Sequence, residues 1–171
     1  MIEILVTLAV LLLDQITKAL SAFYLTTLPF HSYTLIDGVL NLTYVKNTGA
    51  SFGMLSGARW FFIVLTVVAC GFIIYFLIRE RKTMHTFMKI SVSLILSGAL
   101  GNLIDRVFLG YVRDMIEPAF INFAIFNIAD CAITLGVAFL MLDIFFLKNG
   151  KRFAQELEKR GELKKQAKKN D

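Results

Sequence analysis

Charge is scarce in this sequence, and so are the residues that fix metals and disulfides. Asp, Glu, Lys and Arg make up 18% of its 171 residues, against about 25% in soluble domains. Two Cys and two His are too few for a zinc scaffold or a disulfide framework. Two Pro and no Ser/Gly tract exclude a disordered or fibrous core. No HExxH and no GxSxG occurs, and the glycines at 98 and 101 lack the Lys-Ser/Thr of a phosphate loop. What the chain does have is apolar surface: 57% of it is hydrophobic. A soluble globule of this length still exposes roughly 30% of its unfolded surface, so water is not its main solvent.

The net charge of +5 comes from one end. Residues 148–171 hold nine Lys/Arg against four acids, and the rest of the chain carries nine of each sign. A nucleic-acid domain spreads its basic residues over a folded face; these form a polar tail, read as cytosolic and lipid-facing, and no nucleic-acid partner is expected.

A helix needs about 20 mainly apolar residues to cross the bilayer core. Segments 2–23, 60–78, 86–104 and 123–147 qualify. The first has no basic leader, and Asp14-Gln15-Ile16-Thr17-Lys18 interrupts it, so it reads as a retained span and not a cleaved signal. Arg79, Arg81, Lys82 and Lys89, with the tail, mark the cytosolic side, because short cytosolic loops collect Lys and Arg. The loops 24–58 and 105–122 then face outward. The expected fold is an all-α membrane protein of four transmembrane helices spanning 1–147, both termini inside, with 148–171 as a basic tail. Around Asp37-Gly38, strand-like runs flank a reverse-turn signal, which predicts a small extracellular β-element in the first outer loop.

Ionisable groups in membrane helices cost about 2.5–3.5 kcal/mol each on the insertion scale, so each calls for a partner or a function. Asp14, Thr17, Lys18 and Ser21 fall on one face of the first helix, where an Asp14–Lys18 ion pair is one reading. Ser93, Ser97 and Gly101 form a row of small residues that lets another helix approach, but that does not explain Asn102, Asp105 and Arg106 at its outer end. Asn127, Asp130 and Thr134 share a face of the fourth helix; Asp143, near its inner end, reads as snorkelling or paired with Lys148. Asp114 lies in the second outer loop, where a hairpin would bring it to Asp130. By elimination, any hydrolytic centre rests on carboxylates, two of which sharing a proton can activate water and polarise a carbonyl.

Five motifs are recognisable together: Asp14-Gln15-Ile16-Thr17-Lys18, Asn47-Thr48-Gly49-Ala50-Ser51-Phe52-Gly53, Gly101-Asn102-Leu103-Ile104-Asp105-Arg106, Gly110-Tyr111-Val112-Arg113-Asp114 and Phe126-Asn127-Ile128-Ala129-Asp130. In this order, on four helices, they make the chain resemble the bacterial lipoprotein signal peptidases (signal peptidase II). The resemblance implies an intramembrane aspartic endopeptidase of the bacterial cytoplasmic membrane, working near its outer face without a cofactor or metal. Its substrates would be prolipoproteins, cut just before a diacylglyceryl-modified Cys, and globomycin-type cyclic peptides would inhibit it. Asp114 and Asp130 match the catalytic pair. Asp14, Asn47, Asn102, Arg106 and Asn127 match supporting or substrate-contacting positions, with Lys18, Gly49 and Asp105 beside them, and loop 24–58 matches the family's β-cradle. Arg113 stands where the family usually has an apolar residue; an extended 112–115 would point it away from Asp114, and otherwise its charge would favour the ionised acid.

A different class remains open on the residues alone, a small four-helix proton-coupled transporter, which needs its carboxylate near the midplane. The topology is checked by cysteine labelling. With the native Cys replaced, Ser32→Cys is expected to react from outside and Thr83→Cys only from inside; labelling of position 32 only after permeabilisation would reverse the orientation.

Overall fold

The structure, a computed structural model, describes residues 1–50, 54–147, 152–153 and 155–163. Part of the Asn47–Gly53 motif (51–53) and part of the expected tail (148–151, 154 and 164–171) lie outside the described residues. Among the described residues, four helices are long and apolar enough to cross a membrane: α1 (Ile2–Leu25), α2 (Arg59–Glu80), α3 (Thr86–Phe108) and α4 (Ile128–Phe145). Three strands, β1 (Ser32–Ile36), β2 (Leu40–Asn47) and β3 (Val112–Pro118), form an antiparallel sheet in the order β1-β2-β3.

The bundle is built inside out relative to a soluble protein. Leu12, Phe23, Val68 and Phe72 are each more than half exposed, whereas Asp14, Lys18, Ser91, Ser93, Ser97, Asp105 and Asn127 have no exposed surface. Lipid tails are as apolar as leucine, so helices in a bilayer associate through close packing and polar contacts. Helix α3 is the hub, packing against α1, α2 and α4. Half of its most apolar stretch is buried, against 6% in α2. The row Ser93, Ser97, Gly101 is buried within the bundle, and a Cβ on Gly101 would stand 2.5 Å from Asp14 Oδ2 of α1; Gly98 faces α4, whose Ala129, Ala132 and Gly136 are buried. A Cβ on Gly136 would stand 2.7 Å from the Ser91 carbonyl oxygen, and one on Gly98 would stand 2.7 Å from Ile133 Cγ1 and run into the Ala129 carbonyl.

The expected turn is present, with Gly38 at φ +66°, a conformation glycine adopts without a Cβ penalty. Val39 N–H closes the turn on the Ile36 carbonyl at 3.0 Å. The third strand was not expected. Residues 112–118 pair with β2, Val45 opposite Asp114 and Lys46 opposite Arg113, and Phe126 extends the pairing through Ile116. Helix bounds also differ from the apolar segments. Helix α3 continues to Phe108, so Asp105 and Arg106 are helical and not in the loop, and α4 begins after Asn127, leaving 123–126 outside it.

At the other end of the bundle, Asp143 is fully buried, which rules out snorkelling; its partner is His85 Nε2 at 2.9 Å, while Lys148 lies outside the described residues. The described part of the tail folds back here. Phe153 packs among Met84, Met88 and Val92, and Arg160 reaches Glu80 Oε2 and Thr83 Oγ1, both at 3.0 Å.

The α3–α4 contact generates a packing test. Gly98→Val forces a branched side chain against the Ala129 backbone and is expected to lower thermal stability by at least the 1–3 kcal/mol usual for overpacking. Gly71→Ala on α2, where a Cβ meets nothing within 4 Å, is expected to leave the melting temperature unchanged or raised.

Candidate active site

The start of α4 sets the geometry. Asn127 is its N-cap: the side-chain Oδ1 accepts from Asp130 N–H at 3.0 Å, and Asp130 Oδ2 accepts from Asn127 N–H at 3.1 Å. This reciprocal capping box satisfies two orphan N–H groups and fixes the Asp130 carboxylate at the helix N-terminus, where the helix dipole favours negative charge. The other Asp130 oxygen, Oδ1, accepts from Asn102 Nδ2 at 2.8 Å.

Strand β3 supplies the second carboxylate. Asp114 Oδ1 accepts from Asn127 Nδ2 at 2.6 Å and Oδ2 from Asn47 Nδ2 at 2.9 Å. Asn127 thus touches both acids, through its amide on one side and its backbone on the other. Asn47 is held in turn by Gly49 N–H, which donates to its Oδ1 at 2.9 Å, and the Gly49 carbonyl accepts from Arg106 Nη2 at 3.0 Å. The Arg106 guanidinium lies 4.8 Å from the Phe62 ring centroid. Burial pushes the Asp114 carboxyl up to about 6, and the neighbouring Asp130 charge adds to the shift, while the Asn47 and Asn127 amides oppose it.

Behind these acids sits a second layer of charge. Lys18 Nζ contacts Asn102 Oδ1 at 2.8 Å, Asp14 Oδ2 at 2.9 Å and Asp105 Oδ2 at 3.8 Å. Asn102 therefore accepts from Lys18 and from Asn127 Nδ2 (3.2 Å) while donating to Asp130. Asp14 Oδ1 accepts from Ala129 N–H at 2.9 Å, satisfying another N–H in the first turn of α4. The Asp14–Lys18 ion pair read from the sequence is present, but as one edge of this network.

A cavity of about 660 Å³ opens beside the acids, lined by Asn47, Asn102, Arg106, Asp114 and Asp130 on its polar side and by Phe123, Phe126 and Ile133 among the apolar residues. Paired carboxylates facing an apolar-walled cleft suit proton transfer to and from a bound amide.

All the site residues singled out from the sequence meet at the sheet end of the bundle. Asp114, Asp130, Asn47, Asn102 and Arg106 face the cavity; Asn127 links the two acids; Gly49 positions Asn47 and Arg106; Asp14, Lys18 and Asp105 lie behind. Thr17 and Ser21 do not join them, since their hydroxyls bond back to carbonyls of their own helix. Gln15 was passed over as a site residue although it stands in a quoted motif; its Nε2 reaches the Gly101 carbonyl and Asp14 Oδ2, each at 3.1 Å. Phe62 and the stretch 123–126 carried no polar signal at all.

Comparisons with known proteins agree with this arrangement. The family model described as signal peptidase (SPase) II matches residues 6–146. The chain is 44% identical over 115 residues to a lipoprotein signal peptidase of Streptococcus thermophilus, covering 67% of this chain and 74% of that one. It is 40% identical over 147 residues to one of Staphylococcus carnosus, covering 85% and 91%. A bacterial membrane enzyme solved by the in meso method at 2.3 Å superimposes with a TM-score of 0.75 and 37% identity, over 85% of this chain and 90% of that one. With five motifs, a four-helix frame and a model match over most of its length, this chain belongs to the signal peptidase II family of membrane peptidases.

Proposed function

We propose that the chain removes signal peptides from prolipoproteins as an aspartic endopeptidase working within the membrane, cutting just before a diacylglyceryl-modified Cys. The observation that carries this reading is the pair Asp114 and Asp130, joined through Asn127 at the wall of one cavity. The names of its relatives support the substrate class. A diacylglyceryl group gains about 0.8 kcal/mol per buried CH₂, which holds the substrate in the bilayer and delivers it laterally to the cavity. Both termini are assigned to the cytosol, the sheet and the cavity to the outer face of the cytoplasmic membrane, where water for hydrolysis is available. Globomycin-type cyclic peptides are expected to occupy the same cavity.

The two acids have unlike surroundings, and this divides their work. Asp130, at a helix N-terminus with donors on both oxygens, is the ionised member; Asp114, buried and raised to about 6, is the member that holds the shared proton. Asp130 takes a proton from water as its oxygen attacks the scissile carbonyl carbon, and Asp114 gives its proton to the carbonyl oxygen. The resulting gem-diol collapses when Asp130 passes its proton to the departing nitrogen and Asp114 recovers its own from the diol. A proton-coupled transporter fits less well, because both carboxylates lie at one end of the bundle.

Cleavage of a diacylglyceryl-modified lipobox peptide by the purified protein tests this. Each acid–base step is typically worth about 10²–10⁴ in rate, and paired groups act as a unit. Asp114→Asn and Asp130→Asn are each expected to abolish cleavage in a folded protein; substantial turnover by either removes the dyad. The pH profile follows from the raised carboxyl. Asp114 must be protonated, so kcat/KM falls as pH rises above about 6. The native state then binds this proton more tightly than the unfolded chain. Stability is therefore expected to fall as pH rises from 3.8 to about 6, a slope absent in Asp114→Asn.

A further inference from the structure

Asp114 enters the site on a strand, not on a membrane helix, so something must hold that strand in place. Its neighbour Arg113 points to the opposite side, as alternation along a strand requires. There the guanidinium meets Asp105 with the parallel two-point geometry of a bidentate pair: Nη2 to Oδ1 at 2.7 Å and Nε to Oδ2 at 3.1 Å. The Arg113 backbone N–H also donates to Asp105 Oδ2, at 2.9 Å, and Nη2 donates to Gln15 Oε1 at 2.9 Å. One residue is thereby tied to the last turns of α3 and to the middle of α1. The short connection allows it: Gly110, at φ +88°, turns the chain back so that strand and helix end lie side by side.

We propose that Arg113 and Asp105 form a positioning strap that sets the depth of Asp114 against Asp130, so that the rate of the bond-breaking step depends on a side chain that never meets the substrate. This rests on the peptidase reading above. Asp105 is fully buried, Arg113 largely so, and neither lines the cavity. Other groups facing the pair are Lys18, 3.8 Å from Asp105 Oδ2, and the Tyr44 hydroxyl, which burial pushes up to about 12 and keeps neutral. Strand β3 has other ties: its ladder to β2, its bridge to Phe126, and the packing of Met115 on Leu25 and Tyr44. The ladder partner β2 belongs to a hairpin outside the bundle, whereas Asp105 is part of the central helix. A bidentate Arg–carboxylate pair fixes direction as well as distance, which neither the ladder nor apolar packing does alone. It also holds the peptide next to Asp114 through the Arg113 N–H.

The test reads activity and local opening separately. Arg113→Met is expected to lower kcat on the lipobox peptide by about 10- to 100-fold with KM changed less than about twofold, since substrate contacts lie on the other face. Arg113→Lys recovers only part of the loss, because one ammonium cannot reproduce the fork. In a double-mutant cycle, adding Arg113→Met to Asp105→Asn costs little beyond Asp105→Asn alone, because the Arg113–Asp105 contact is already broken. Hydrogen exchange of the intact protein gives a readout independent of turnover. Amides of Val112–Pro118 are expected to lose at least tenfold protection in Arg113→Met while those of α2 stay unchanged. Wild-type kcat and wild-type protection of β3 in Arg113→Met would overturn the strap and leave the peptidase reading standing. A wild-type protein that fails to cleave the peptide, with β3 still loosened by Arg113→Met, would overturn the peptidase reading and retain the strap. Loss of protection throughout the bundle in both Arg113→Met and Arg113→Lys would mark a general folding contact and also overturn it.

Discussion

The Lys18 ammonium group is fully buried, and much of the architecture follows from that. An ammonium stripped of its hydration costs several kcal/mol unless oxygens replace the water. Here they come from Asp14 on its own helix and from Asn102 and Asp105 on α3. Each of those oxygens needs donors of its own. Asp14 finds one in the Ala129 backbone of α4, and Asp105 finds several in Arg113 of β3. A single buried charge thus draws three helices and a strand to one point. In a bilayer, where apolar surfaces have no preference for one another over lipid, such polar demands do the work that a hydrophobic core does in water.

The same logic separates what could be read in the sequence from what could not. Three of the four spans were visible to within a few residues because nothing but a membrane helix keeps an apolar run that long. The hairpin was visible through Asp37-Gly38. Strand β3 was not, for a physical reason: Arg113 faces a buried carboxylate and Asp114 faces the cavity, so both sides of the strand carry charge. The alternation of apolar and polar residues that betrays a half-buried strand is absent. The end of α3 was hidden similarly, since Asp105 and Arg106 look like loop residues until their partners are known. Partners far apart in the chain, as in Asp143 with His85 or Phe153 with Met88, leave no periodic trace.

The candidate site was legible as a set of residue types and not as a circuit. Five short motifs named nearly every polar side chain at the cavity, and the resemblance sorted them into roles. What it did not supply was connectivity: that Asn127 is both cap and bridge, that Asn102 joins a buried cation to a carboxylate, or that Gln15 closes the network between α1 and α3. These relations depend on where the amides point, which only three-dimensional packing decides.

The capping box at the head of α4 has a further consequence. The Asp130 oxygen that accepts the Asn127 N–H belongs to the carboxylate assigned to receive a proton from water. A carboxylate accepts hydrogen bonds more strongly than a carboxylic acid does, so each proton transfer weakens the bond that begins the helix. Under the proposed mechanism, catalysis and helix initiation draw on one group, and the first turn of α4 is expected to relax and tighten once per turnover. A chemical step of this kind would be a mechanical one as well, delivered to the end of the helix that borders the cavity.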